Sequence, residues 1–365
     1  MTDLTLFQSG AALASASAHG CPSHITYLEA GVVGLVQGVT ELFPVSSLGH
    51  NVLIPALVGG CWAHDLNVAA PESPYLAFIV GLHVATAIAL LIYFWKDWIR
   101  IIGGFFGSLG HVVRPEQGTS RWQLRSVNEK LAWMIIVATI PVGLVGVVFE
   151  HEFRVFFGKP IRAAIFLAIN GVILIAGEKF RRQASVRADQ EVAAERERER
   201  DMLAVGTQRR TGAARHAAGH QAVRSVELAD ALAADRRLAQ QGNWQAVIIG
   251  SSQILALLAG ISRDGVCMVS GMFRGLSRED AARFAFLLAT PVILAAGVLK
   301  IPDLYGPLGK DIHGQVYFGS VLSGVGAYVS VRFLMKYFQT RTLTPFGIYC
   351  LVAGLASIVY LGVIK

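Results

Sequence analysis

Charge is what this sequence has least of. Only 16% of its 365 residues are Asp, Glu, Lys or Arg, against about 25% in a soluble globular chain. No lysine or arginine occurs before Lys96. With 53% hydrophobic residues and a mean hydropathy of +0.51, the chain is too apolar for a soluble domain of this length. Its formal net charge of +7 is confined to a few loops, which argues against a nucleic-acid-binding surface. Cysteine is scarce too. Cys21, Cys61, Cys267 and Cys350 form no CxxC pair and no Cys/His metal spacing, so they read as small buried hydrophobes. Residues 1–23 lack the positive n-region of a cleaved secretory signal and read as a short, partly disordered tail.

What the chain has instead is long apolar runs. A spanning helix needs about 20 mostly apolar residues. Six segments meet or approach that: 75–95, 131–149, 160–177, 284–300, 315–335 and 343–363. Two more apolar stretches are wrong for simple spans. Residues 25–58 contain Gln37, Glu41, Ser46, Ser47 and His50 around Pro44, and residues 244–273 contain Gln253, Ser262, Arg263 and Asp264 among glycines. Each is long enough to enter the bilayer and return as a helical hairpin. Such irregular backbone is tolerated at membrane depth only where protein or a wet cavity covers it.

Residues 178–243 are different in kind, with 13 Lys/Arg and 10 Asp/Glu including the alternating run 195–201. They read as a solvated loop, partly helical with i,i+4 charge pairs. Loop 96–130 is basic as well, through Lys96, Arg100, Arg114, Arg121, Arg125 and Lys130. Two spans separate these loops, so they share a side, and the positive-inside rule makes that side the cytoplasm. Segment 59–74 then lies outside. The first hairpin enters from outside and the second from inside.

The expected fold is therefore an all-α integral membrane protein with six transmembrane helices plus two re-entrant helical hairpins in an inverted repeat. The first repeat is 24–177, with its hairpin at 24–58. The charged cytoplasmic insertion is 178–243. The second repeat is 244–365, with its hairpin at 244–273. A faint echo agrees: Gly34, Gln37, Leu42, Ser46 and Gly49 match Gly250, Gln253, Leu258, Ser262 and Gly265 at a constant offset of 216. Inverted repeats with broken helices place a site near the midplane and aim half-helix N-termini at anions.

The chemistry-bearing residues sit on the two hairpins. Gln37 and Glu41 are four apart and share a helix face. An ionisable residue in an apolar stretch is costly and marks function by default. A carboxylate and an amide oxygen together suit a hard cation such as Mg²⁺. Pro44 ends the helix, which leaves Ser46, Ser47 and His50 on the turn and the next helix start. A serine beside a histidine suits nucleophilic or acid–base work. The alternative is a polar interhelical network with Glu41 paired to His50. On the second hairpin, the Arg263 fork matches phosphate oxygens, and Gly260 and Gly265 let backbone N–H groups approach an anion. An Arg263–Glu41 or Arg263–Asp264 ion pair is the alternative there. Arg278 reads as a lipid-head-group contact or an interfacial anchor. His83, mid-span, reads either as facing the site or as a satisfied core histidine.

At these residues the chain resembles the BacA/UppP family of undecaprenyl-diphosphate phosphatases. Gln37…Glu41…Pro44-Val-Ser46-Ser47-Leu-Gly-His50 is similar to that family's first motif, a glutamate or glutamine, then a glutamate, then PVSSxGH. Gly260-Ile-Ser262-Arg263-Asp264-Gly265, with Ser270-Gly271-Met272 and Gly275-Leu-Ser277-Arg278, is similar to its second, PGxSRSG…SGG…GxSR.

The resemblance implies removal of the terminal phosphate of a C55 polyprenyl diphosphate in the bacterial plasma membrane, recycling the carrier lipid for peptidoglycan and giving bacitracin resistance. It implies a site opening toward the periplasm or cell exterior. Gln37 and Glu41 would hold a divalent metal, Mg²⁺ with Ca²⁺ as the alternative, or position water. Ser47 would be phosphate contact or nucleophile with His50 as its acid–base partner. Arg263 would clamp the diphosphate, helped by Ser46 and Ser262. The expected partners are the polyprenyl diphosphate and the bilayer, and a homodimer is left open. Three positions depart from the pattern: Gln37 in place of the commoner glutamate, Ala259 in place of proline, and Asp264 in place of serine. The competing reading is a transporter or flippase of a lipid phosphate or other anion on the same scaffold. Such a protein needs an anion site but no Glu41/Ser47/His50 group.

Overall fold

The structure is a computed structural model, and it describes residues 25–68, 74–113, 124–203, 235–306, 309 and 311–364. The expected tail 1–23, with Cys21 in it, lies outside the described residues, as does the middle of the charged insertion. Among the described residues the chain is helical, with no strand.

The first polar stretch forms two helices, α1 (Tyr27–Leu42) and α2 (Ser47–Val58). Thr26 and Glu29 start α1 with a reciprocal capping box: the Glu29 N–H donates to Thr26 Oγ1 at 3.2 Å and the Thr26 N–H to Glu29 Oε2 at 2.8 Å. The α1 helix stops at Leu42, just before Pro44, whose ring disfavours helical backbone in the residue before it. After the short α3 (Gly60–Asp65) come α4 (Pro74–Tyr93), α5 (Trp95–Val113), α6 (Val127–Phe157) and α7 (Pro160–Leu203). The second polar stretch forms α8 (Asn243–Ser252), a 3₁₀ turn (Gln253–Leu257) and α9 (Arg263–Phe273). The chain ends with α10 (Arg278–Tyr305), α11 (His313–Thr340) and α12 (Thr344–Val359).

Six of these helices are long and apolar enough to cross a membrane: Pro74–Tyr93, Val127–Phe149, Pro160–Ala184, Arg278–Leu299, His313–Thr340 and Thr344–Val363. They fall on the six expected segments. Large apolar side chains such as Leu144, Val147, Val298 and Val352 stand exposed on their outer faces. In water so much uncovered apolar surface would drive association; in lipid it carries no cost.

The packing order positions the polar stretches. The α1 helix lies along α11, α8 lies against α6, α2 rests on α7, and α9 is held between α7 and α10. Around them α4 pairs with both α10 and α11, and α12 pairs with α7. The two broken stretches are thus enclosed by spanning helices.

Two expectations need correction. Residues 96–130, expected as a loop, contain helix α5. The charges at its start, Lys96, Asp97 and Arg100, obscure a one-sided pattern in which Ile99, Ile102 and Phe106 are exposed together while Ile101 and Ser108 are buried. That pattern is the face of an amphipathic helix. The first part of the charged insertion is helical, in keeping with its i,i+4 pairs, because α7 continues unbroken to Leu203. Its alternating Glu and Arg are strong helix formers. Finally, Cys61 is not a small buried hydrophobe but disulfide-bonded, whereas Cys267 and Cys350 are free and buried.

The end of the insertion is tied back by ion pairs. Asp235 meets Arg283 at 2.7 Å and Arg100 at 3.2 Å, and Arg283 also meets Asp97 at 2.8 Å. Arg237 donates both Nε and Nη2 to Asp280 in the first turn of α10, at 2.7 and 2.8 Å. These pairs join one end of α5 to the start of α10.

Candidate active site

The break in each polar stretch is built by a serine N-cap. Ser46 Oγ accepts the Gly49 N–H at 3.2 Å and starts α2; Ser262 Oγ accepts the Gly265 N–H at 3.1 Å and starts α9. The two breaks touch, since Ser46 Oγ also accepts the Gly260 N–H at 3.2 Å. Gly260 has φ +113°, and a Cβ there would lie 2.4 Å from the Ala163 carbonyl oxygen, so only glycine fits. Ser46 itself has φ +70°, sparsely populated for a residue with a side chain. The surrounding bonds hold it there, a kind of strain that clusters at functional sites. The positive ends of α2 and α9 therefore meet at one place, which favours an anion.

Between these helix starts lies a buried polar cluster centred on Glu41. Arg263 Nη2 donates to Glu41 Oε1 at 2.6 Å. On the other oxygen, Oε2, Glu41 accepts from Gln37 Nε2 at 2.8 Å and from the Ser47 hydroxyl. His83 Nε2 lies 3.4 Å from the same oxygen, while its Nδ1 donates to the Ile79 carbonyl at 2.9 Å. His83 is therefore a member of the site. Asn51 donates Nδ2 to Gln37 Oε1 at 2.6 Å, which fixes the Gln37 amide with its nitrogen toward Glu41. The chain thus joins four separate elements, α1, α2, α4 and α9, on one carboxylate.

Asp264 stands beside this cluster. Its Oδ1 is 3.5 Å from Arg263 Nε, and neither of its carboxylate oxygens has a hydrogen-bond partner although the side chain is buried. One guanidinium thus faces two carboxylates.

His50 is placed next to the serines but not on Ser47. Its Nδ1 donates to the Ser46 carbonyl at 2.7 Å, and its Nε2 lies 2.7 Å from the Tyr349 hydroxyl, with the two rings nearly parallel at 6°. A carbonyl only accepts, so the proton is on Nδ1 and Nε2 takes the Tyr349 proton. The Ser47 proton goes to Glu41 instead, so Glu41 occupies the position of base to Ser47. Arg278 is elsewhere. It grips Glu178 with Nε at 3.0 Å and with Nη2, past the far end of α9, whose 11 residues make it about 16 Å long.

Three further residues belong to the site. Asn170 on α7 donates to the Pro44 carbonyl at 3.0 Å and accepts the Ser262 N–H at 3.0 Å, so one side chain bolts both breaks together. A lone asparagine within an apolar span is the kind of residue that marks a site. Asn51 and Tyr349 carry no such signal: Asn51 reads as one more polar residue after the break, and Tyr349 as a span aromatic.

Tyr349→Phe tests the His50 arrangement. It removes one hydrogen bond, worth about 1 kcal/mol. The expected result is a thermal melting midpoint lower by about 2 °C. An unchanged midpoint would show that the Ser46 carbonyl alone orients His50.

Together the fold and the cluster define a polytopic membrane protein with a buried, charged polar cluster among its helices. Comparison with known proteins narrows this. Residues 30–211 and 223–356 match the family of the bacitracin resistance protein BacA. Undecaprenyl-diphosphatase of Mycolicibacterium paratuberculosis is 55% identical over 339 residues, covering 93% of this chain and 98% of that protein. Undecaprenyl-diphosphatase 1 of Frankia casuarinae is 48% identical over 380 residues, 93% of this chain and all of the relative. Undecaprenyl-diphosphatase 2 of Chromobacterium violaceum is 35% identical over 338 residues, 91% and 98% of the two chains. The chain belongs to the BacA family.

Proposed function

We infer that this chain is a membrane phosphatase that hydrolyses undecaprenyl diphosphate to undecaprenyl phosphate and phosphate, recycling the carrier lipid for peptidoglycan synthesis and conferring bacitracin resistance. The family match and the relatives' shared name support the reaction. The observation that carries the site is the meeting of Glu41 and Arg263 at 2.6 Å, from two different broken stretches.

In the proposed mechanism Arg263 and the starts of α2 and α9 bind the terminal phosphate and stabilise the charge that builds on it. Glu41 takes the proton released as the terminal phosphorus is attacked, by Ser47 or by a water that Ser47 aligns; the bond to the bridging oxygen breaks and undecaprenyl phosphate leaves, and on the serine route water then cleaves the phosphoserine to phosphate and restores Ser47. Until the diphosphate arrives, Glu41 occupies Arg263. Binding then transfers Arg263 from carboxylate to phosphate and frees Glu41 to act as base. His83 and Gln37 hold Glu41 in place, and His50, bonded to the Ser46 carbonyl and to Tyr349, steadies the turn that presents the serines.

The described residues contain no group of three or more His, Cys, Asp or Glu side chains arranged to hold a metal, and the Gln37 oxygen is taken by Asn51. The donors that fit a hard cation are the carboxylates of Glu41 and Asp264, the latter with both oxygens unbonded. Mg²⁺ is commonly held by one or two carboxylates together with substrate phosphates, and Ca²⁺ takes the same oxygens. When bound, such an ion would supply further charge neutralisation on the diphosphate.

Two architectural readings go with the proposal. The first is an inverted repeat of hairpin plus three spans. Residues 216 apart play matching parts: Ser46 and Ser262 both cap helix starts, and Gln37 and Gln253 are both buried. A Cβ on Gly34 would strike the Gly319 carbonyl on α11 at 2.4 Å, and one on Gly250 the Ala138 carbonyl on α6 at 1.9 Å. The α6 and α11 helices hold the same place in the two halves, which is what a repeat requires. The second reading is orientation. The basic residues of 96–130 and 178–243 favour the cytoplasmic side for both segments by the positive-inside rule, and a disulfide at Cys61 suits an oxidising exterior. The site would then open outward.

Phosphate release from polyprenyl diphosphate by the purified protein with Mg²⁺ is the deciding measurement. Turnover is expected. No release, combined with uptake of a lipid phosphate into vesicles, would favour the transporter reading.

A further inference from the structure

A cavity with cationic side chains in its lining lies away from the Glu41–Arg263 cluster. Three spanning helices end close together: Pro160–Ala184 finishes, and Arg278–Leu299 and Thr344–Val363 begin. At this junction a cavity of about 710 Å³ is lined by Glu178, Arg182, Arg278, Thr340, Thr342 and Thr344. Two guanidinium groups and three hydroxyls thus surround one carboxylate. That carboxylate is a structural brace. Glu178 accepts from Arg278 Nε at 3.0 Å and from the Leu343 N–H at 3.3 Å, fixing both the arginine and the start of α12. The bonds from Arg278 use its Nε and Nη2, which leaves the donors of Nη1 for a second anion. An arginine whose fork is already oriented loses little freedom on binding.

The cavity opens along a lipid-facing strip. Ile348, which also lines it, is followed on the same face of α12 by Val352 and Leu355, and all three are exposed. A polar, cationic pocket at a span boundary that adjoins an exposed apolar strip matches a lipid with an anionic head and an alkyl chain. A phosphate monoester presents three terminal oxygens and up to two negative charges to this cationic lining, against two free oxygens and one charge for a phosphodiester. We propose that this cavity binds the head group of a lipid carrying a phosphate monoester, with its chain laid along Ile348, Val352 and Leu355.

The test uses full-length protein, delipidated in neutral detergent and titrated with dioleoyl phosphatidic acid, dioleoyl phosphatidylglycerol or inorganic phosphate. Retained ligand is read by native mass spectrometry. Phosphatidic acid is expected to bind about tenfold more tightly than the phosphodiester of equal chain length. Arg182→Gln, and Glu178→Gln combined with Arg278→Gln, should each abolish that preference. Thr342→Val, which changes no charge, should reduce it and guards against loss through misfolding. Equal affinity for the two lipids overturns the proposal. So does a preference unchanged in all variants, which would place the monoester at the Glu41–Arg263 cluster. Inorganic phosphate binding as tightly as phosphatidic acid overturns the lipid assignment. Turnover plays no part in the readout, so the result is independent of the phosphatase reading.

Discussion

Glu41→Gln is expected to lower kcat for phosphate release by about a thousandfold while KM falls rather than rises. The substitution keeps the side chain's shape, and its amide oxygen can still accept from Arg263; its new NH₂ faces the Gln37 nitrogen and loses that one bond, so the cluster can still assemble. It removes the charge, and with it the base for Ser47; general-base catalysis is worth about 10² to 10⁴. The KM effect has a separate origin. In the resting site Arg263 is held by Glu41 at 2.6 Å, and the diphosphate must compete for it. Weakening that pair releases the guanidinium to the substrate and removes a negative charge from an anion site. A buried ion pair broken from one side costs about 3 to 5 kcal/mol of stability, so the variant should also melt earlier without substrate and regain part of the loss with it. Steady-state kinetics and thermal melts with and without a diphosphate analogue test each part. A kcat within tenfold of wild type would remove Glu41 from the chemistry.

Much of this site was legible because burying charge in an apolar segment is expensive. Glu41 and Arg263 announced themselves by that cost, and their pairing follows from it: each is the other's cheapest partner. Pro44 marked the end of α1, and the serines after it were expected at the turn and helix start where Ser46 now caps α2. The charged ends of the spans were legible for the same reason. What was not legible depends on relative placement. The sequence text suggests a Ser47–His50 pair because the two lie three residues apart, yet the left-handed backbone at Ser46 directs Ser47 to Glu41 and His50 to Tyr349. No residue preference foretells a positive φ at serine. Asn170 is visible as a polar residue in a span, but its partners, Pro44 and Ser262, come from two other segments. The disulfide at Cys61 has no spacing signal at all.

Arg263→Ala should abolish turnover and destabilise the protein, and a second substitution should separate those two effects. Without the guanidinium, Glu41 and Asp264 are left as neighbouring buried carboxylates, and neither oxygen of Asp264 has another hydrogen-bond partner. An uncompensated buried charge costs about 3 to 5 kcal/mol. Adding Asp264→Asn in the Arg263→Ala background removes one of the two charges, so most of that loss should return. The coupling between these adjacent positions is then measured directly by the double-mutant cycle. Activity should not return, because the phosphate still lacks its fork and the charge forming on it is unopposed; loss of one such group costs about 10² to 10³ in rate. Arg263→Lys belongs in the same series. A lysine keeps the charge, so stability should hold, but its single ammonium cannot present two parallel donors to a phosphate, and kcat/KM should still fall about a hundredfold. If the Arg263→Ala, Asp264→Asn pair were stable and active within tenfold of wild type, Arg263 would be a counter-ion and nothing more, and the diphosphate would have to be bound by the helix N-termini alone.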